Sequence, residues 1–157
     1  MFREIRRKKN ELPIEAAKEL LRNNKRAALA VNGDDGYPYV VPINFYYEES
    51  ENRIYFHGAK TGHKLDSILR DPKVCLTTWD DGVLEEDWAY HVSSCVAFGK
   101  ASIVEDREVA REKIVKFARK YYPTEDEISE EMQMGFRAVN VFVIEIERLS
   151  AKRVHER

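Results

Sequence analysis

The stretch RAALAVNGDDGYPYVVPIN, residues 26–44, constrains this chain more than any other. Two apolar segments meet at an acidic turn flanked by glycines. Asp-Gly between apolar runs favours a tight reversal, because such a turn needs residues that tolerate left-handed backbone angles. A hairpin joins antiparallel neighbours, so the rest of the chain has to extend or cover an antiparallel sheet.

The flanking segments agree with that demand. Pro13 opens a helix with Ile14, Ala17, Leu20 and Leu21 on one face, and Asn23-Asn24 ends it. After RAALAVN and the GDDG turn, YPYVVPINFYYEE reads as one strand and RIYFHG as the next. Helical spacing from His63 to Leu69 stops at Asp71-Pro72, since the residue before proline is pushed out of the α region. KVCLTTW is β-rich. The charged loop DDGVLEEDW then leads into a long strand, AYHVSSCVAFGKASIVE. The spacing predicts a helix over Arg107–Tyr121, stopped by Pro123, and a short acidic helix in TEDEISEEMQMG. The alternation in AVNVFVIEIERLSAKRV reads as a last strand. Six strands on short connections fit a mainly β, antiparallel barrel with peripheral helices better than a parallel βαβ sheet. At 157 residues and 43% hydrophobic content, without repeat or linker, one domain over 1–157 is expected.

Charge and cysteine usage narrow the function classes. Lysine plus arginine (26) nearly balances aspartate plus glutamate (28), which argues against a nucleic-acid-binding surface. FREIRRKKN is the local exception and reads as a solvated tail or a cap over a neighbouring subunit. No apolar run reaches the ~20 residues of a membrane helix, and no signal-peptide pattern opens the chain. Cys75 and Cys95 lie far apart and are expected to be reduced. A cytoplasmic protein without nucleic-acid or membrane partners follows as the expectation.

Chemistry concentrates in IYFHGAKTGHKLDSI, residues 54–68, where a strand leaves through two glycines into a helix. The stretch fails the GxxxxGK[ST] phosphate loop, because His63 intervenes and Leu65 replaces the hydroxyl. A weaker phosphate reading survives: Gly62 permits backbone approach, and a charge-assisted bond from Lys64 is worth ~1.5–3 kcal/mol. A glycine-turned connection with a solvated lysine explains the same residues, and spacing leaves the two open. His57, His63, His91 and His155 form no metal-binding pattern, so no metal is expected. There is no GxSxG elbow. Glu85, Glu86 and Asp87 read as a solvated face rather than an acid–base pair. Most strand aromatics belong to the core, with a fraction left to line a pocket for a planar ring.

Taken together, GYPYVVPINFYY, IYFHGAKTGHKLDSI, KVCLTTW and SSCVAFGKA resemble the nitroimidazole-resistance branch of the pyridoxamine 5′-phosphate oxidase-like flavoproteins. The likeness covers nearly the whole chain and is most specific in the pairing of the first two motifs. It implies an FMN-binding split β-barrel working as a homodimer, with two flavins at the subunit interface. By that resemblance Tyr39, Val40, Val41, Pro42, Ile43 and Asn44 lie along the isoalloxazine, and Phe56, His57 and Gly58 flank the ring and ribityl chain. His63 and Lys64 correspond to phosphate binders. Ser93, Ser94 and Cys95 close the site from the other subunit, with Trp79 or Trp88 over the ring. The implied activity is FMN-dependent reduction of a nitroaromatic or other small electrophilic molecule, with His57 as proton donor or packing residue. Alternatives are a non-catalytic flavin- or haem-binding protein and a pyridoxamine 5′-phosphate oxidase. The last loses support because YPYVVPINF lacks the oxidases' basic residues and Ser94-Cys95-Val96 stands where they carry Gln-Val-Arg.

Overall fold

A computed structural model describes residues 1–156. Strand β1 (Glu11–Leu12) precedes helix α1 (Ile14–Asn23), which Pro13 starts with its fixed backbone angle. The hairpin follows as β2 (Arg26–Asn32) and β3 (Pro38–Asn44), and the chain continues into β4 (Tyr46–Glu48) and β5 (Arg53–Ala59). Helix α2 (His63–Arg70) leads to β6 (Lys73–Trp79), β7 (Val83–Leu84) and β8 (Tyr90–Ile103). Helices α3 (Arg107–Arg119) and α4 (Glu125–Gly135) then pack together before β9 (Val139–Glu156) closes the chain.

The sheet runs β3-β2-β6-β8-β9-β5-β4, with β1 added to β9 and β7 to β8, and each pairing is antiparallel. This is the expected split β-barrel, with nine strands rather than six among the described residues. Two of the extra strands are two-residue additions at the margins. The third arises because YPYVVPINFYYEE breaks at Phe45, whose ring is fully buried.

Two apolar clusters hold the fold. Inside the barrel lie Leu29, Ile54, Phe56, Leu76, Phe142 and Ile144, with Phe56 and Phe142 stacked at 4.8 Å. Outside it, α3 and α4 set Ile114, Phe117, Ile128 and Met132 against Tyr55 and Val141. Neighbouring residues on β5 and β9 therefore point into different clusters, which explains why those strands are apolar on both faces. Asp106 caps α3 by accepting from the Glu108 and Val109 amides, and Thr124 caps α4 through the Glu127 amide.

Candidate functional site

The site lies where the barrel splits. Strand β4 pairs with β5 through Tyr46–Tyr55, but one step further the two edges part, β3 staying with β2 and β5 with β9. Phe45 sits at the fork. Its amide donates to the Tyr121 hydroxyl at 2.9 Å, and that hydroxyl is 2.7 Å from the Phe45 carbonyl and 2.6 Å from that of Lys25. Lys120 donates to the Phe45 and Asn24 carbonyls from the same side. Burial lowers the Lys120 pKa to about 8 and raises that of Tyr121 to about 12. The residues that follow α3 thus hold the chain at the fork.

The gap is a cavity of about 430 Å³ lined by Arg26, Pro42, Ile43, Asn44, His57 and Lys64. Among the described residues its lining holds two cations, Arg26 and Lys64, and no carboxylate. Arg26 enters because the hairpin register places it opposite Asn44. Lys64 follows Gly62, the residue before α2, whose φ of 128° is open to glycine. Its ammonium lies 5.4 Å from the Phe56 ring centroid and directly over Gly58, where a Cβ would approach Nζ to 3.2 Å. Burial depresses the Lys64 pKa, so the charge is held in a partly desolvated place.

His57 stands between this cavity and a second, of about 190 Å³, enclosed by α3, α4 and the end of β5. Asn44 also borders both. The exposed surface of His57 faces these concavities, which is why burial still lowers its pKa, assisted by Lys64 and opposed by Glu131. Its ring meets Phe117 edge-on at 5.1 Å.

The other expected site residues divide by place. Val40, Pro42 and Asn44 face outward along β3, while Tyr39, Val41 and Ile43 turn toward the interior. The side chains of Ile43, Phe56 and Cys95 are buried in the core, Ile43 at the wall of the cavity. His63 does not turn into the cavity with Lys64. It stacks on Tyr39 at 4.0 Å, with Nε2 3.5 Å from Asp34, and so braces the hairpin turn that Arg70 also grips. Trp79, Ser93 and Ser94 lie on another part of the sheet: Trp79 pairs with Ser94, and Ser93 borders a separate cavity beside Asp80 and Asn24. Trp88 projects from the β7–β8 excursion, 83% exposed.

Arg26, Tyr121 and Glu131 are the residues that sequence reasoning missed. Arg26 was within reach, since counting back from the GDDG turn pairs it with Asn44. Tyr121 follows α3 and Glu131 lies on α4, and the seating of those helices on the sheet has no local signature.

Comparison with known proteins agrees with this architecture. A candidate 5-nitroimidazole antibiotic resistance protein from Bacteroides thetaiotaomicron superposes with a TM-score of 0.78 at 22% identity, covering 92% of this chain and 87% of its own. A FAD-binding protein from Mesorhizobium loti gives 0.67 at 20% identity, covering 92% and 96%. A flavocytochrome from Azotobacter vinelandii gives 0.76 at 24% identity, covering 95% of this chain and 71% of its own. No curated protein matches in sequence. The pyridoxamine 5′-phosphate oxidase family profile matches residues 13–153, nearly the whole barrel with its helices, and the chain belongs to that family.

Proposed function

We propose that this protein is an FMN-dependent oxidoreductase that works as a cytoplasmic homodimer and reduces a nitroaromatic or other small electrophilic substrate. The observation carrying the reading is the carboxylate-free cavity at the split, with Lys64 and Arg26 as cations beside exposed strand edges. The donor set suits a phosphorylated ligand: Lys64 offers a charge-assisted bond, and the missing Cβ of Gly58 leaves room for its ammonium. Pro42, Asn44 and His57 would lie against the ring system. FMN, when bound, supplies the electron chemistry, and the protein supplies position, exclusion of water and hydrogen bonds. With its pKa lowered, His57 is largely neutral at pH 7, able to accept at one ring nitrogen and donate at the other. The flavin-binding similarity of the Mesorhizobium and Azotobacter proteins supports the cofactor, and the Bacteroides protein the substrate class.

The first test is the cofactor that co-purifies, identified by its absorbance spectrum and mass. Flavin bands and FMN are expected. A Soret band would favour the haem-binding alternative, and a colourless protein that resists reconstitution overturns the proposal. Lys64→Ala should weaken FMN retention roughly tenfold or more, as expected for a lost charge-assisted bond of ~1.5–3 kcal/mol, while leaving the barrel folded. Full occupancy after dialysis would remove Lys64 from the phosphate site. Anaerobic addition of a nitroaromatic to the chemically reduced protein should restore the oxidised spectrum. A spectrum that stays reduced rejects the nitroaromatic substrate.

A further inference from the structure

We infer that the cavity between α3, α4 and the end of β5 is a binding site for an uncharged, single-ring aromatic molecule, seated against His57 and Asn44. Its size sets the first limit. An apolar cavity of about 150 Å³ holds benzene, so about 190 Å³ has room for one ring with a small substituent.

The walls set the second limit. Ile114, Phe117, Ile128, Met132 and Phe136 are buried and surround the space with rings, aliphatic carbon and a thioether, surfaces that favour a flat aromatic guest. Asn44 and His57 bring hydrogen-bonding groups to the end shared with the neighbouring cavity, where each of them meets both spaces.

Charge sets the third. Among the described residues Glu131 is the only carboxylate in this lining, which holds no lysine or arginine, whereas the adjoining cavity carries Arg26 and Lys64. A carboxylated ring is therefore repelled from the smaller space and drawn to the larger one. An uncharged ring fits the smaller one, leaving the larger to a phosphorylated ligand. The inference rests on the flavoenzyme reading only in making this guest the substrate; the binding site itself stands without it.

Equilibrium binding of nitrobenzene and 4-nitrobenzoate to the purified full chain, by ligand-observed NMR or calorimetry, tests the site, with flavin content measured on the same samples. With inorganic phosphate added in excess to occupy the larger cavity, nitrobenzene should bind at least tenfold more tightly than 4-nitrobenzoate. Val139→Phe, which places a ring into the cavity from half-buried β9, should weaken nitrobenzene binding at least tenfold. Glu131→Lys changes only an exposed residue, so it tests the site even if Val139→Phe fails to fold, and it should narrow or reverse the preference. Equal affinity for the two compounds, no nitrobenzene binding, an unchanged preference in Glu131→Lys, or undiminished binding in folded Val139→Phe each overturns the inference. Protein that carries flavin but fails these tests leaves the flavin reading standing. Protein that passes them without flavin does the reverse.

Discussion

Glu48 is the point at which two lysines of α3 converge on the barrel. Lys116 donates to it at 2.8 Å and buried Lys113 at 3.4 Å, while Ser50 adds a hydroxyl at 3.0 Å. The Lys116 bond is the largest influence holding the Glu48 pKa down at about 2. The unfolded chain takes up its proton in the ordinary carboxylate range, the folded chain only near pH 2. The stability from this group is thus complete above the ordinary range and disappears as pH falls through it toward 2. Urea midpoints at pH 7 and pH 3 should show wild type losing stability across that interval. Glu48→Gln should be less stable at pH 7 by ~1–3 kcal/mol, because Lys113 loses a carboxylate partner, and should show a shallower pH dependence. Parallel pH dependences would remove Glu48 as the cause. A related lesson concerns His63 and Lys64, which the family resemblance implied together as phosphate binders. Consecutive residues on a helix diverge by about 100°, so Lys64 enters the cavity while His63 stacks on Tyr39.

Among the elements, β8 and β9 make the longest pairing, and its register shifts between Phe98 and Gly99. A Cβ on Gly99 would lie 2.2 Å from the Glu145 carbonyl oxygen and 2.9 Å from Ile144 Cγ2. Neither can yield cheaply: the first is ladder backbone and the second is core. Gly99→Ala should therefore lower Tm by roughly 10 °C or more, the scale of a severe core defect in a chain of this size. Gly135→Ala, at the end of α4, meets only the flexible tip of Glu131 at 3.3 Å and should leave Tm within about 3 °C of wild type or raise it. Thermal unfolding followed by circular dichroism compares the two, and similar losses would reject the bulge argument. The bulge also shows where sequence ran out. Alternation exposed the main strands and the GDDG hairpin because each is a local pattern. Gly99 looked like any residue of a continuous strand, since its constraint is a carbonyl 46 positions away. The break at Phe45 depends likewise on Tyr121, 76 positions distant.

At the scale of the whole molecule, the chain leaves an apolar surface around the β7 excursion: Trp79, Val83, Leu84, Trp88 and Tyr90 are all exposed. DDGVLEEDW reads as a charged loop in sequence, but its carboxylates mainly serve the excursion itself. Glu85 pairs with Arg153, Asp87 accepts from the Ala89 amide, and Asp80 accepts from the Gly82 and Ser93 amides. With those charges engaged, Trp88 is carried outward on backbone at φ 59°, a left-handed conformation uncommon for a residue without a polar side chain. An exposed indole held in that way is suited to packing against another surface. Ser93 and Ser94 lie beside this region, and neither is among the described residues lining the cavity at the split of their own chain. If a second copy covers the patch, wild type should scatter light as a particle of twice the chain mass. Leu84→Lys and Trp88→Asp should shift it toward the monomer while circular dichroism stays unchanged. Because the family resemblance implies an FMN site completed by residues of both chains, the same variants should lose FMN in proportion to the dimer they lose. A monomeric wild type that holds full FMN would show one chain's cavity to be sufficient. A variant that remains dimeric but loses FMN would instead place the tryptophan or leucine at the ligand rather than at the subunit contact.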